Sequence, residues 1–406
     1  MKSVRDSTIV LALLICAGAG CRPREQAVVK QNWSGIDQVV AEEIEKGSFP
    51  GAVILVGRAD TILYWRAFGH KVIEPYRETM TKNTVFDLAS LTKPIATATS
   101  VMILCDQWKM GLSDYAGTYL PAFACKGKEK VQIGHLLSHT SGLPAYTNAN
   151  ALKEAYGSPC PDELMDKICG LKALGEPGAE FRYSCLGYIV LAKIVEVIGG
   201  KSLDEFAEEN IFGPLKMSRS TFNPPQSWSK DIAATEIVEG QPLRGTVHDP
   251  LARLMGGVAG NAGLFSTAYD LSIYCRMLLD GGTFKGIRVV SSEAVAMMTT
   301  AQSHGRGYGF DVHSSYSWVK GSYAPQSAFC HTGYTGTSIV CDPESETYII
   351  ILANRSHPHD KGTVKTVRTE VADIVFREFP GLTSVDFGEL GRPEETTQCE
   401  QESSYH

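Results

Sequence analysis

Ser90 and Lys93 stand three residues apart in the segment Phe86-Asp87-Leu88-Ala89-Ser90-Leu91-Thr92-Lys93-Pro94. On a helix, residues at that spacing share a face, so the Lys93 amine can reach the Ser90 hydroxyl. A hydroxyl is a poor nucleophile until a neighbouring base takes its proton, and a lysine shielded from water can have its pKa lowered enough to help. The chemistry this suggests is nucleophilic attack by Ser90 with Lys93 as part of its activating base. If Ser90 also opens the helix, the N-terminal amides favour negative charge forming beside it. Spacing alone does not select the pair, because Ser227 with Lys230 and Ser317 with Lys320 satisfy it too. Ser227 follows Asn223-Pro224-Pro225 in a loop-like stretch, and Ser317 lies in an irregular polar segment beside Tyr316 and Trp318. Only Ser90 heads an apolar helical pattern, and Pro94 is compatible with a first helical turn.

The elements that must position this pair are legible in outline. Ser34 can cap a helix whose apolar positions Ile36, Val39, Val40 and Ile44 keep helical spacing. Residues 52–56 and 62–67 are β-branched or apolar stretches separated by Gly57-Arg58-Ala59-Asp60, a hairpin pattern. From Ser90 to about residue 280 the signals are mainly helical, including 186–198 and 203–211, with glycine- and proline-rich connections. Strand signals return at 308–312, 337–341 and 347–353, before a helix over 364–379. Strands at both ends around a helical middle predict an α/β (α+β) domain: a mixed, mostly antiparallel sheet flanked by helices, with an inserted helical lobe. The run Gly256 to Gly263 lacks dinucleotide spacing and reads as a tight loop, not a phosphate cradle.

Three motifs then carry a resemblance. Ser90-Leu91-Thr92-Lys93, Tyr183-Ser184-Cys185 and His331-Thr332-Gly333, in that order, resemble the motifs of the penicillin-recognising serine hydrolases related to class C β-lactamases. That family, with a β-lactamase/transpeptidase-like fold, also holds penicillin-binding proteins, D-alanyl-D-alanine carboxypeptidases and esterases. Residues 135–143, 177–184 and 256–265 are similar as well, and the resemblance covers about residues 33–380. It implies that Ser90 is acylated, that Tyr183 with Lys93 moves the proton, and that the amides of Ser90 and Tyr334 form an oxyanion hole. It also implies that His331, Thr332 and Gly333 lie on a strand beside the cleft and bind substrate. A phenol has an ordinary pKa near 10, so Tyr183 needs cationic neighbours to act as a base, which Lys93 and His331 would supply.

Two positions depart from the family's β-lactam hydrolases. Cys185 stands where those usually carry asparagine, and a thiol cannot replace an amide that both donates and accepts strong hydrogen bonds. His331 replaces their common lysine, so its charge would be partial and pH dependent. Both changes lean toward an ester or amide substrate, with a D-alanyl peptidase second and a β-lactamase third. A penicillin-binding sensor without turnover and a purely structural surface lipoprotein are the readings from other classes.

Other reactive residues have plainer readings. His135 and His139, four apart, could present two imidazoles to a metal, but with no acidic residue between them structural hydrogen bonding is favoured. His357-Pro358-His359-Asp360 reads as a surface loop, and His248-Asp249 shapes the cleft. Cys185, without a catalytic cysteine signature around it, reads as a cleft-wall residue. No metal or organic cofactor is implied.

A chain that is 43% hydrophobic and 20% charged can bury a large core, and a net charge of -7 offers no basic field for nucleic acid. Lys2 and Arg5 precede an apolar run from Ile9 to Ile15 and then Ala17-Gly18-Ala19-Gly20-Cys21, the pattern of a secretory signal over 1–21. The run is too short for a stable span, which takes roughly 20 apolar residues. Two processing readings compete: Ala17-Gly18-Ala19 resembles an ordinary small-x-small cleavage site, whereas small residues directly before Cys21 resemble a lipoprotein signal with lipid on that cysteine and hence membrane anchoring; either places the protein in the periplasm or cell envelope. Residues 22–32 read as a polar tether and 381–406 as a disordered tail. Of eleven cysteines, nine remain once Cys16 and Cys21 are set aside, an odd count that cannot pair fully. Most read as buried small hydrophobes.

Overall fold

The computed structural model describes residues 33–378. The signal segment with Cys21, the tether and the tail lie outside the described residues.

Gly51–Arg58 and Thr61–Val72 form the expected hairpin, longer than the apolar stretches alone indicated. The first strand also pairs antiparallel with Thr347–Ala353, bringing the two ends of the domain together in register Val53 to Leu352 and Leu55 to Ile350. Ser338–Asp342 and Phe329–Thr332 continue outward on that side, and Glu78–Thr79 edges the other, giving a six-stranded sheet in which every pairing is antiparallel.

The sheet's two faces sort by the two-residue period of a strand. Ala52, Ile54, Val56, Ile349 and Ile351 pack with Ile36 and Val40 of the helix Ser34–Glu45 and with Val367, Val371 and Val375 of the helix Lys365–Glu378. Val53, Leu55, Ile339, Ile350 and Leu352 face the other way, into the larger core of the helical lobe. Strands apolar on both faces are what a sheet covered on both sides requires, and this explains the near-continuous run Thr347-Tyr348-Ile349-Ile350-Ile351-Leu352-Ala353, buried throughout.

The lobe is built around the helix Cys185–Gly199, whose residues Leu186 through Ala192 are all buried. Ser184 caps it by accepting from the Gly187 amide, and Gly200 ends it in the left-handed conformation.

Two local expectations are corrected. Residues 308–312 do not form a strand: Gly309 turns the chain, and only Asp311 bridges to Cys330, because Arg306 and Asp311 close a tight loop around their own buried ion pair. Ser34 lies inside the first helix, with Trp33 at the cap position. The eight described cysteines are all free thiols, four buried and four half-buried. Among the described residues, no helix is long and apolar enough to cross a membrane.

Ile350 is fully buried at the centre of the sheet. Ile350→Ala should therefore destabilise the domain by about 2–5 kcal/mol, read as a lower urea midpoint with an unchanged denaturant slope.

Candidate active site

Ser90, the candidate nucleophile, sits on a turn, not on a regular helix. The short strand Phe86–Asp87 pairs with Leu264–Ser266, and the chain then tightens into a 3-10 turn over Ala89–Leu91. It widens into a π-helical stretch over Lys93–Ala98 before becoming a regular helix at Thr99–Asp106. Pro94 falls in the first turn of the wide stretch, where its missing N–H costs least. Ala89 holds a left-handed φ of 47°, a sparsely populated state for a residue with a Cβ, immediately before Ser90.

This geometry places Lys93 Nζ 2.9 Å from Ser90 Oγ. Lys93 is fully buried, and its ammonium also donates to the Asn261 carbonyl at 3.0 Å and to Cys185 Sγ at 3.5 Å. Burial opposes the charged amine, but the Cys185 and Tyr183 groups around it outweigh burial and hold Lys93 above its ordinary value. Lowering of the lysine's pKa by shielding, the expectation from burial alone, is thereby corrected: acceptors from three segments keep the cation in place.

Tyr183 lies beside this shell, with Lys93 Nζ 5.0 Å from its ring centroid. Its ring stacks with His139 at 4.2 Å and with Tyr316 at 5.4 Å. Burial pushes the phenol upward more than Lys93 draws it down, so the resting pair is a neutral phenol beside an ammonium. The Cys185 thiol is likewise raised by burial against the pull of Lys93. It serves as a neutral acceptor in the cleft wall.

His331 and Thr332 lie on the edge strand Phe329–Thr332, with Gly333 just beyond its end. The His331 ring is 6.3 Å from that of Tyr183. Its Nδ1 lies 2.8 Å from the Thr332 carbonyl, an acceptor only, so Nδ1 carries hydrogen. Burial first, then the nearby Arg306 and Lys93 cations, hold His331 well below its ordinary value. The partial positive charge expected there is corrected to a neutral imidazole, and Lys93 alone supplies the cation beside Tyr183. Gly333 permits close approach of the two turns: a Cβ there would lie 2.3 Å from the Leu88 carbonyl and 2.1 Å from Thr337 Oγ1. Tyr334 follows, its phenol donating to Asp360 at 2.6 Å while Arg355 lies 4.1 Å over its ring.

The remaining sequence candidates separate cleanly. His135 Nδ1 accepts from the Gln132 amide and His139 Nδ1 from the Ser184 amide, as structural hydrogen bonding predicts. Ser227 lies on a short 3-10 turn, Gln226–Trp228. Lys320 is turned inward to the carbonyls of Val312 and Ala328, while Ser317 bonds the Ser314 carbonyl, so that pair is not a catalytic one. His357 is buried, bonding the Thr235 carbonyl and the Ile73 amide. Glu236, His248 and Asp360 bring ligand-type atoms within 4.8 Å of one another, but both Asp360 oxygens are engaged by Tyr334 and Arg355.

Sequence reasoning missed Asn261, Tyr316 and Asp87. Asn261 acts through its carbonyl, which any residue type would supply. Tyr316 lies on an irregular loop with no periodic signal. Asp87 did carry a hint, since an aspartate two residues before an amide can close an Asx turn, and its Oδ1 accepts from Ala89 N at 2.8 Å.

A half-buried serine paired with a fully buried lysine and an adjacent tyrosine, on an antiparallel sheet backed by a helical lobe, defines a serine hydrolase of the β-lactamase type. Residues 36–373 match the family described as Beta-lactamase, and the chain belongs to it. It is 32% identical to the N-acetylmuramyl-L-alanine amidase of Bacillus subtilis (strain 168), covering 79% of this chain and 80% of that protein. A putative D-alanyl-D-alanine carboxypeptidase of Escherichia coli (strain K12) is 31% identical over 79% of this chain and 82% of its own length. Among solved structures, the hydrolase EstCE1 superposes with a TM-score of 0.69 at 22% identity, covering 84% of this chain and 98% of its own. A class C β-lactamase gives 0.68 at 19% identity, covering 84% and 95%. The protein is a serine acyl hydrolase.

The reactive form must have one proton fewer than the resting ammonium–phenol pair, and both Lys93 and Tyr183 sit above their ordinary values of 10.5 and 10.0. Ester hydrolysis should therefore rise with pH through neutrality, about tenfold per unit in kcat/KM. The neutral His331 should add no inflection near its ordinary 6.5. A pH–rate profile checks both.

Proposed function

We propose that the protein hydrolyses an amide bond of a cell-wall peptide through a Ser90 acyl-enzyme, and that small activated esters are alternative acyl donors. The observation that carries the mechanism is the 2.9 Å contact between Ser90 Oγ and the Nζ of Lys93, a fully buried lysine surrounded by acceptors. In this reading Ser90 Oγ attacks the carbonyl carbon while its proton passes to the Lys93–Tyr183 pair in its proton-poor form. The amides of Ser90 and Tyr334 hold the oxyanion. As the C–N bond breaks, the pair returns the proton to the leaving amine, and water then attacks the acyl-enzyme by the same route.

The substrate class draws on two relatives, one named as an amidase of N-acetylmuramyl-L-alanine and the other as a putative D-alanyl-D-alanine carboxypeptidase. Efficient β-lactam hydrolysis is disfavoured by Cys185 and by the neutral His331. A cell-wall substrate agrees with a location outside the cytoplasm. There the signal-like segment 1–21 would deliver the chain, and lipid on Cys21 would anchor it through the tether 22–32.

Intact mass after mixing the protein with a penicillin, an activated acetyl ester and a muramyl peptide tests the reading. We expect ester and amide turnover that Ser90→Ala abolishes, and Lys93→Ala should lower kcat by about 10²–10⁴-fold. Penicillin should give a Ser90 adduct that clears slowly, and Cys185→Asn should raise its turnover about tenfold, the equivalent of one recovered hydrogen bond. Stable adducts with every donor and no product would mean a sensor instead, and no adduct on Ser90 would reject the mechanism.

A further inference from the structure

The two amides assigned to the oxyanion come from turns far apart in the chain, and catalysis requires their spacing to be held closely. One buried residue touches both turns. Asp87 Oδ1 accepts from the Ala89 amide at 2.8 Å, inside the turn whose next amide is that of Ser90. Its Oδ2 accepts from the His248 amide at 2.6 Å. Its main-chain carbonyl accepts from Thr335 Oγ1 at 2.7 Å, one residue after Tyr334.

We infer that Asp87 is the positioning residue of the oxyanion hole, tying the Ser90 turn to the Tyr334 turn; the inference rests on the roles proposed above for those two amides. Two routes run from Asp87 to Tyr334. One is the Thr335 hydroxyl. The other passes through His248, whose amide is held by Oδ2 and whose ring stacks on Tyr334 at 5.4 Å. On the nucleophile's side, the Oδ1 bond closes the turn in which Ala89 has its left-handed φ of 47°, a conformation that needs such a local partner to persist. The parallel bond from Thr337 Oγ1 to the Leu88 carbonyl at 2.9 Å, and the absence of a Cβ at Gly333, bring the same two turns into contact. Asp87 does not reach the reacting atoms. It is 2% exposed, and each carboxylate oxygen is already bonded to an amide.

The geometry selects its own test. Asparagine has the shape of aspartate but one acceptor oxygen in place of two, so in Asp87→Asn an NH2 must face either the Ala89 or the His248 amide. Thr335→Val removes the second tie while keeping the side chain's shape, and Thr335→Ser restores the hydroxyl. The readouts are kcat per active site titrated with an activated acetyl ester, and inhibition by a phenylboronic acid. Ser90 Oγ adds to boron, a B–O bond forms, the serine proton leaves to the Lys93–Tyr183 pair in its proton-poor form, and the resulting boronate anion occupies the oxyanion position. For Asp87→Asn we expect kcat per titrated site to fall about 10²-fold, the size of effect a misplaced catalytic group produces, with a comparable rise in the boronate inhibition constant and little change in ester KM. Thr335→Val should show the same paired loss at about tenfold, and Thr335→Ser should recover it. Wild-type kcat and boronate affinity in both Asp87→Asn and Thr335→Val would overturn the inference, as would a fall in kcat with boronate affinity intact. Should Asp87→Asn fail to fold, the Thr335 pair decides by the same criteria. A wild-type enzyme that neither acylates Ser90 nor binds the boronate would reject the serine mechanism itself, a result distinct from normal inhibition that is indifferent to Asp87.

Discussion

A lysine ammonium taken wholly out of water is the constraint on which the site depends. Such a charge costs several kcal/mol unless acceptors surround it. Here they come from three places: the Ser90 hydroxyl, the Asn261 carbonyl and the Cys185 thiol. None of the three can be displaced without leaving the cation unsatisfied, so the turn before the lobe, the glycine-rich loop and the start of the helix Cys185–Gly199 are bound to one another through a single nitrogen. The same arrangement sets the protonation of the site, because a cation with three acceptors holds its proton and a half-buried phenol beside it keeps its own.

The electrostatics around that cation are spare. His139 and His331 both lie within the field of Lys93 and Arg306, and both are held neutral, with burial as the larger cause. Arg306 is itself committed to Asp311 at 2.7 Å. The cleft thus presents the Lys93 cation beside imidazoles that pack, bond and stack. This is a different surface from one with a lysine at position 331, and it bears on which substrates are held well.

The sheet contributes rigidity more than chemistry. Its central strands are buried on both faces, one against the two terminal helices and one against the lobe, so the edge strand Phe329–Thr332 is referenced to both halves of the domain. Arg368, from the last helix, donates to the carbonyls of Gly333 and Thr337 on either side of the Tyr334 turn. The final helix, far from Ser90 in sequence, therefore takes part in holding the cleft.

Much of this was legible in the amino-acid order. The strand-helix-strand layout, the hairpin after residue 51 and the long apolar helix after Tyr183 follow from periodicity and local spacing, which are properties of neighbours in the chain, while the three motifs were legible through their resemblance to a known family. The strand-like pattern at 308–312 instead belongs to a loop closed by an ion pair, a contact that sequence periodicity does not reflect. What the chain order alone determined was which side chains could react and which elements would carry them. The tertiary structure decided their protonation and their partners: that Lys93 is a held cation, that His331 is neutral, that Cys185 and Asn261 complete the lysine's shell, and that Asp87 lies between the two turns. The physical reason is that burial and hydrogen bonding depend on distances in space, and here the groups that set them are brought together from segments distant in sequence.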